Sequence, residues 1–292
     1  MSILIDRDTK VIIQGMTGRS GTFYADQAIR YGSQYVGGVR PGKGGTKHLG
    51  LPVFDTVADA MEKTGATASL VMVPAHNAAA AMIEAIEAGI SVIVCVTERV
   101  PLHDMIRVKA ALAKSRSVLV GPNSQGILTP EGCKIGVMPT MNATPGPVGI
   151  ASRSASLTSE ILAQSSAAGL GQSTTVGIGG DPIHGIGFVG CLERFRDDPD
   201  TEAVILIGEI GGTEEEEAAA YLSSIEYGKP VIALIVGQHA PKERRMGHAG
   251  TLSMFGAQTA AAKSELLAAA GVIIASDTDQ VVPCVKAALE QG

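Results

Sequence analysis

Tryptophan is absent, and phenylalanine and tyrosine number only five each among 292 residues. The hydrophobic share is still 45%, so the cores must be filled by aliphatic side chains and alanine. Charge is sparse as well. Charged residues make up 18%, and 29 acidic against 23 basic residues leave a net charge of −6. An acidic chain lacks the electrostatic footprint for wrapping nucleic acid, although a local basic pocket for an anion remains open to it. Its high hydrophobicity excludes a disordered chain. Cysteine is limited to Cys95, Cys133, Cys191 and Cys284, with no CxxC pair. That usage fits reduced thiols, not a disulfide frame or a zinc site. No apolar run approaches the ~18 residues of a membrane helix. The first ten residues carry two Asp and no apolar signal stretch. The expectation is a cytoplasmic protein without membrane or nucleic-acid partners.

Glycine, by contrast, is abundant at 36 residues, well above the usual ~7%. Such an excess implies many tight turns and close backbone approaches. The length suits two domains. In the first half, apolar runs at 11–13, 35–39, 69–73, 92–96 and 118–120 read as strands. Helical stretches fall near 22–31, 78–88 and 105–114. This alternation predicts βαβ units around a parallel sheet. Residues 121–147 hold five Pro and five Gly without periodicity and read as a connection. The alternation restarts with strands at 148–151, 174–178, 203–207, 231–236 and 272–275. The fold class is therefore α/β. A Rossmann-like domain spans 1–125, a connection 126–147, and a second doubly wound parallel-sheet domain 148–292. Ligands in such sheets bind at the loops after the strands.

The first such loop runs Gly15-Met16-Thr17-Gly18-Arg19-Ser20-Gly21, with GxxGxxG spacing. Glycines ahead of a helix N-terminus suit a phosphate, though a tight turn without ligand has the same appearance. The second strand ends in Arg40, where a ribose-binding acid would favour NAD. Arg40, Lys43 and Lys47 favour an extra phosphate instead, as in NADP or coenzyme A. The segment Gly37 to Lys43 imitates a Walker A loop, but its eighth place is Gly44, where Ser or Thr should hold magnesium. A P-loop is rejected on that ground. In the second domain, Ser152-Arg153-Ser154-Ala155-Ser156 offers either an anion-binding helix N-terminus or ordinary serine capping. Glu209 follows an apolar strand at the ligand edge. Thr213 with Glu216 reads as a capping box, and the Glu214–Glu217 run as acids complementing a helix dipole, not as a metal site. The long segment from Gly237 to Gly250 sets His248 between glycines beside Arg244 and Arg245. Long structureless loops in compact domains are usually functional, whereas a lone loop histidine is ordinarily a surface residue.

Taken together, APKERRMGHAG, GEIGG, TVGIGGDPI, GPNSQG, the opening SILID and GGVRPGKGGTKHLGLPVF resemble the α subunit of succinate–CoA ligase, collinearly along the whole chain. The resemblance implies a Rossmann-like coenzyme A domain followed by a flavodoxin-like phosphohistidine domain. It implies a hetero-oligomer, αβ or α2β2, in which an ATP-grasp β subunit binds ATP or GTP with magnesium. His248 would be the phosphohistidine and Glu209 its orienting carboxylate. Thr17, Gly18, Arg19, Ser20, Lys43, Val96, Thr97 and Glu98 would contact coenzyme A, joined by Arg40. Ser154, Ala155, Ser156 and Ser159 would face phosphate or the acid. The reaction implied joins a carboxylic acid to coenzyme A through an acyl phosphate.

The chain also departs from the family's pattern. Ser154-Ala155-Ser156 stands for Ser-Gly-Thr, Ser159 for Tyr, Ser124-Gln125 for Cys-Pro, and Arg99 for Gly. The phosphohistidine loop is intact while the acyl-pocket neighbourhood is altered, so malate, citrate or another di- or tricarboxylate stands beside succinate. The competing readings are a non-catalytic coenzyme A- or nucleotide-binding Rossmann module and an NADP-dependent oxidoreductase.

Overall fold

A computed structural model describes residues 2–240, 247, 248, 251 and 259–291. The chain divides into two compact units. Leu4–Met138 with Ile183–Gly185 form one, and the described residues of 1–3, 139–182 and 186–292 form the other.

The first unit runs β1 (Lys10–Gln14), α1 (Arg19–Tyr31), β2 (Gln34–Val39), β3 (Lys47–His48), β4 (Leu51–Phe54), α2 (Val57–Thr64), β5 (Ala68–Val71), α3 (Ala75–Glu87), β6 (Val92–Cys95), α4 (Leu102–Leu112) and β7 (Val118–Val120). The sheet order is β3-β4-β2-β1-β5-β6-β7, parallel throughout apart from the β3–β4 pair. From β4 to β7 this is the Rossmann order 3-2-1-4-5-6, which reverses between β1 and β5. Strands β5 and β6 are buried along their whole length, as a sheet covered on both faces requires. The sequence pattern missed β3, β4 and α2. Yet α2 carries a start signal, because the Thr56 hydroxyl accepts from Asp59 N at 3.1 Å, and a stop signal in Gly65 at φ 68°. Residues 126–147 also hold more than a connection. β8 (Gly126–Thr129) and β9 (Cys133–Gly136) form an antiparallel hairpin. Gly126 and Gly136 are register partners, and a Cβ on Gly126 would lie 2.0 Å from Ile135 O. Only glycine fits that crossing.

The second unit runs β10 (Pro145–Ser152), α5 (Ala155–Ala167), β11 (Gln172–Gly177), α6 (Phe188–Asp197), β12 (Ala203–Glu209), α7 (Glu214–Ser223), β13 (Val231–Val236), α8 (Ala260–Ala269), β14 (Ile273–Ile274) and α9 (Thr278–Leu289). The parallel order β14-β13-β12-β10-β11 is the flavodoxin order 2-1-3-4-5 read from the other edge. It reverses between β10 and β12.

The first unit's core is aliphatic, with Ile12, Val71, Met82, Ile93 and Leu119 all closed to solvent. The second buries Phe188 and Phe195 completely. Phe195 fits because Gly149 of β10 has no side chain; a Cβ there would meet the ring at 2.6 Å. All four cysteines are free. Among the described residues, no helix is long and apolar enough to cross a membrane.

Candidate functional site

Each sheet presents a distinct set of side chains at the carboxyl ends of its strands. In the first unit, the loop after β1 borders a cavity of about 620 Å³, lined among others by Gly15, Gly18, Arg40, Met72 and Asn77. That volume suits a small organic ligand. Gly15 sits at φ 93°, and a Cβ there would lie 2.4 Å from Met72 O. A Cβ on Gly21 would lie 2.2 Å from Gly15 O. Both glycines therefore serve the packing of backbone on backbone. Gly18 is the N-cap of α1 and lines the cavity, as an anion site requires. The Arg40 guanidinium donates to the Thr17 hydroxyl at 2.6 Å, which holds this exposed cation over the loop. Backbone N–H groups of Lys43 and Gly44 donate to Asp55 at 3.1 and 2.9 Å, leaving the Lys43 ammonium exposed.

Of the expected coenzyme A residues, Gly18 and Arg40 line the cavity and Thr17 joins them through Arg40. Arg19 and Ser20 begin α1 and border a separate, open hollow. Lys43, Val96, Thr97 and Glu98 are not among the cavity's lining residues. Thr97 donates its hydroxyl to Val73 O at 2.8 Å. Sequence reasoning missed Gln14 and Glu84, which also line the cavity. Glu84 accepts from Val57 N at 2.8 Å and thereby caps α2 from outside.

In the second unit, the loops after β10, β11 and β12 converge on His248. The His248 Nδ1 lies 2.9 Å from one Glu209 carboxylate oxygen and 3.0 Å from the other. A Cβ on Gly180 would lie 2.2 Å from His248 Cγ, so this glycine packs directly on the ring. Arg153 pairs with Glu209 at 3.0 Å, its side chain 2% exposed and that of Glu209 8%. The hydrogen bond donated to Glu209 holds the imidazole pKa above its ordinary 6.5. Burial and the Arg153 charge oppose that shift, whereas the charge of Asp181 adds to it. With Nδ1–H donating to the carboxylate, the neutral ring carries its free lone pair on Nε2. The side chain is 30% exposed, so that lone pair is within reach of a reactant. Arg244, Arg245, Ala249 and Gly250 lie outside the described residues.

Ser154 is the N-cap of α5, its hydroxyl accepting from Leu157 N at 3.3 Å. Ala155 and Ser156 are exposed in the first turn. Ser159 donates to Ala155 O at 3.1 Å, so its hydroxyl proton is committed to the helix. The acidic run at 214–217 is not a Thr213–Glu216 capping box. Thr213 makes no side-chain cap bond and donates instead to Glu217 at 2.7 Å. Glu214 accepts from Phe188 N at 2.8 Å at the start of α6, and Glu215 is buried. Among the other departures, Ser124 accepts from Gly126 N at 2.8 Å. Gln125 is 6% exposed, and its side-chain amide meets no hydrogen-bond partner among the described residues. Arg99 sits at φ 60°, a conformation suited to glycine. Among the described residues, no group of three or more metal-ligating side chains forms a cation site.

Residues 6–99 match the coenzyme A binding domain model, and residues 151–273 the CoA-ligase model. The succinate–CoA ligase [ADP-forming] α subunit of Aquifex aeolicus is 51% identical over 276 residues, which cover 94% of this chain and 90% of that protein. The malate–CoA ligase α subunit of Methylorubrum extorquens is 48% identical over 281 residues, 95% of either chain. ATP citrate lyase of Methanothrix soehngenii, solved with citrate and coenzyme A, superposes with a TM-score of 0.89 at 22% identity. That match covers 99% of this chain and 52% of the lyase, about half its length, and shows the shared fold.

Proposed function

Because the chain belongs to the succinate–CoA ligase α-subunit family, we propose that it carries the phosphoryl group of an NDP-forming acid–CoA ligase on His248. The observation that supports this most directly is the contact of Nδ1 with both Glu209 oxygens. It fixes the tautomer and leaves Nε2 as the nucleophile. Attack by Nε2 on the γ-phosphorus of a nucleoside triphosphate forms the N–P bond and releases the diphosphate. A carboxylate oxygen of the acid then takes the phosphoryl group, giving an acyl phosphate and restoring the ring. The thiol of coenzyme A then takes the acyl group, and inorganic phosphate leaves. The N–H groups at the start of α5, capped by Ser154, are suited to hold a phosphoryl oxygen.

The cavity of the first unit, with Gly18 at a helix N-terminus and Arg40 above it, has the chemistry for the phosphates of coenzyme A. Thr17, Arg19, Ser20, Lys43, Val96, Thr97 and Glu98 are assigned to the same ligand by their match to the family's motifs. A β subunit of ATP-grasp type would bring the nucleotide and its magnesium, and the assembly would work in the cytoplasm. The acid is a dicarboxylate, succinate or its hydroxylated relative malate, the substrates named in the two relatives of about half identity.

Incubating the chain and its co-purified partner with a nucleoside triphosphate tests this reading. An acid-labile phosphoryl adduct mapped to His248 is expected. Acyl-CoA synthesis without that adduct would overturn the assignment. Specificity constants for succinate, malate, itaconate and citrate then name the acid.

A further inference from the structure

Behind Glu209 lies a set of buried charges that the phosphoryl transfer itself does not touch. Lys263 of α8 is wholly buried. Its ammonium donates to the carboxylate of Glu215, to Gly211 O at 2.7 Å and to Gly212 O at 3.2 Å, and lies 3.3 Å from Glu216. Glu215, also buried, accepts from the backbone N–H of Glu209 at 3.0 Å and lies 3.6 Å from the Arg153 guanidinium. Arg153 in turn pairs with the Glu209 carboxylate and donates to Gly211 O at 3.3 Å. Glu209 is thus held at three points: its amide by Glu215, its carboxylate by Arg153, and the Gly211-Gly212 turn beyond it by both cations.

Stability alone gives no reason for such an arrangement. Burying two cations and two anions costs desolvation that an apolar group of equal volume would avoid. The bonds made are also specific, since they converge on the one residue that meets His248. We propose that Glu215 and Lys263 are a positioning pair for His248, with Lys263 holding Glu215 and Glu215 holding the Glu209 backbone and Arg153 in the geometry that orients the ring. This rests on the reading of His248 as phosphoryl acceptor. Neither residue touches the reacting atoms. Their effect reaches His248 through Glu209 and Arg153, the charges that face it together with Asp181.

The pair carries opposite charges, and that gives a signature that packing does not imitate. The His248 imidazole is titrated by NMR in the full chain, in wild type, Lys263→Met, Glu215→Gln and the double variant. Loss of a cation makes the site more negative and raises the imidazole pKa. Loss of an anion lowers it. Shifts of about one unit in opposite directions are expected, with the double variant returning close to wild type. Shifts of the same sign in both single variants, or none, would overturn the proposal. Breaking a buried pair on one side can prevent folding. Where a single variant does not fold, Glu215→Asp keeps both charges while withdrawing the carboxylate by one methylene. Slower His248 phosphorylation with unchanged coenzyme A affinity then supports the pair, and a wild-type rate rejects it. The titration needs no phosphorylated enzyme, so absence of phosphohistidine in the wild type would sink the functional reading and leave the coupling measurable.

Discussion

The two sheets handle their carboxyl edges in opposite ways. The first leaves space: a cavity of about 620 Å³, bounded by backbone and small side chains, with exposed cations near its rim. The second fills its edge with charged side chains that are buried and pair with one another. Both edges stand at the point where strand order reverses, so topology does not separate them. Their tasks do. An edge that receives a whole ligand gains from room and from mobile cations. An edge that turns one of its own side chains into a reactant must fix that side chain beforehand, because a reacting ring misplaced by ~1 Å loses ~10²-fold in rate. Glycine serves both ends. Gly15 lets backbone lie on backbone, whereas Gly180 lets an imidazole lie on backbone.

The most severe change should fall on one edge alone. His248→Asn is expected to abolish phosphorylation and acyl-CoA synthesis while coenzyme A binding, read by calorimetry, stays at its wild-type value. Parallel loss of both would mean that the edges are not separate in function. Next is Gly180→Ala, whose methyl would meet His248 Cγ at 2.2 Å. The ring must move, and a fall of about 10²-fold in phosphorylation rate is expected with little change in Tm. A wild-type rate would show that the ring is not held where it acts. Arg40→Ala probes the open edge. Coenzyme A should bind about tenfold more weakly, with the deficit shrinking as salt is raised. An unchanged Kd would remove Arg40 from the site.

Smaller effects follow from protonation and from backbone strain. The imidazole pKa is raised above 6.5, so the neutral nucleophile accumulates only as pH climbs past that raised value. The acidic limb of the phosphorylation rate should therefore lie above pH 6.5, and Glu209→Gln should move it downward. The same pairing favours the folded state below the unfolded histidine pKa of about 6.5. That contribution disappears as pH rises through the raised folded value. A limb that stays in place in Glu209→Gln would refute the pairing. Last, Arg99→Gly relieves a residue at φ 60° and should raise stability by about 1 kcal/mol in denaturant melts. A loss of stability would show that the Arg99 side chain makes compensating contacts.

Much of the architecture was legible because strands buried on both faces appear as unbroken apolar runs, as at 203–207 and 231–236. The short β3 escaped because a two-residue strand has no periodicity, and β4 because its four residues include Pro52. The β8–β9 hairpin escaped because its crossing glycines read as turn residues. In the site, Glu209 and His248 were visible as chemistry-bearing residues after strands. Gly180 was quoted within a motif yet had no assigned partner, since the ring it supports lies 68 positions further on. Lys263 gave only a faint local signal, a lone cation in an alanine-rich helix, because its carboxylate partner lies 48 residues earlier. Arg153 was passed over among serines that looked like caps.

The company that His248 keeps bears on energetics as well as geometry. A phosphoryl group on Nε2 would add negative charge to a ring already flanked by Glu209 and Asp181. Repulsion from these acids would raise the energy of the loaded state, and Arg153 with the N–H groups at the start of α5 would offset part of it. The balance of these opposing charges would set the group-transfer potential of the carrier.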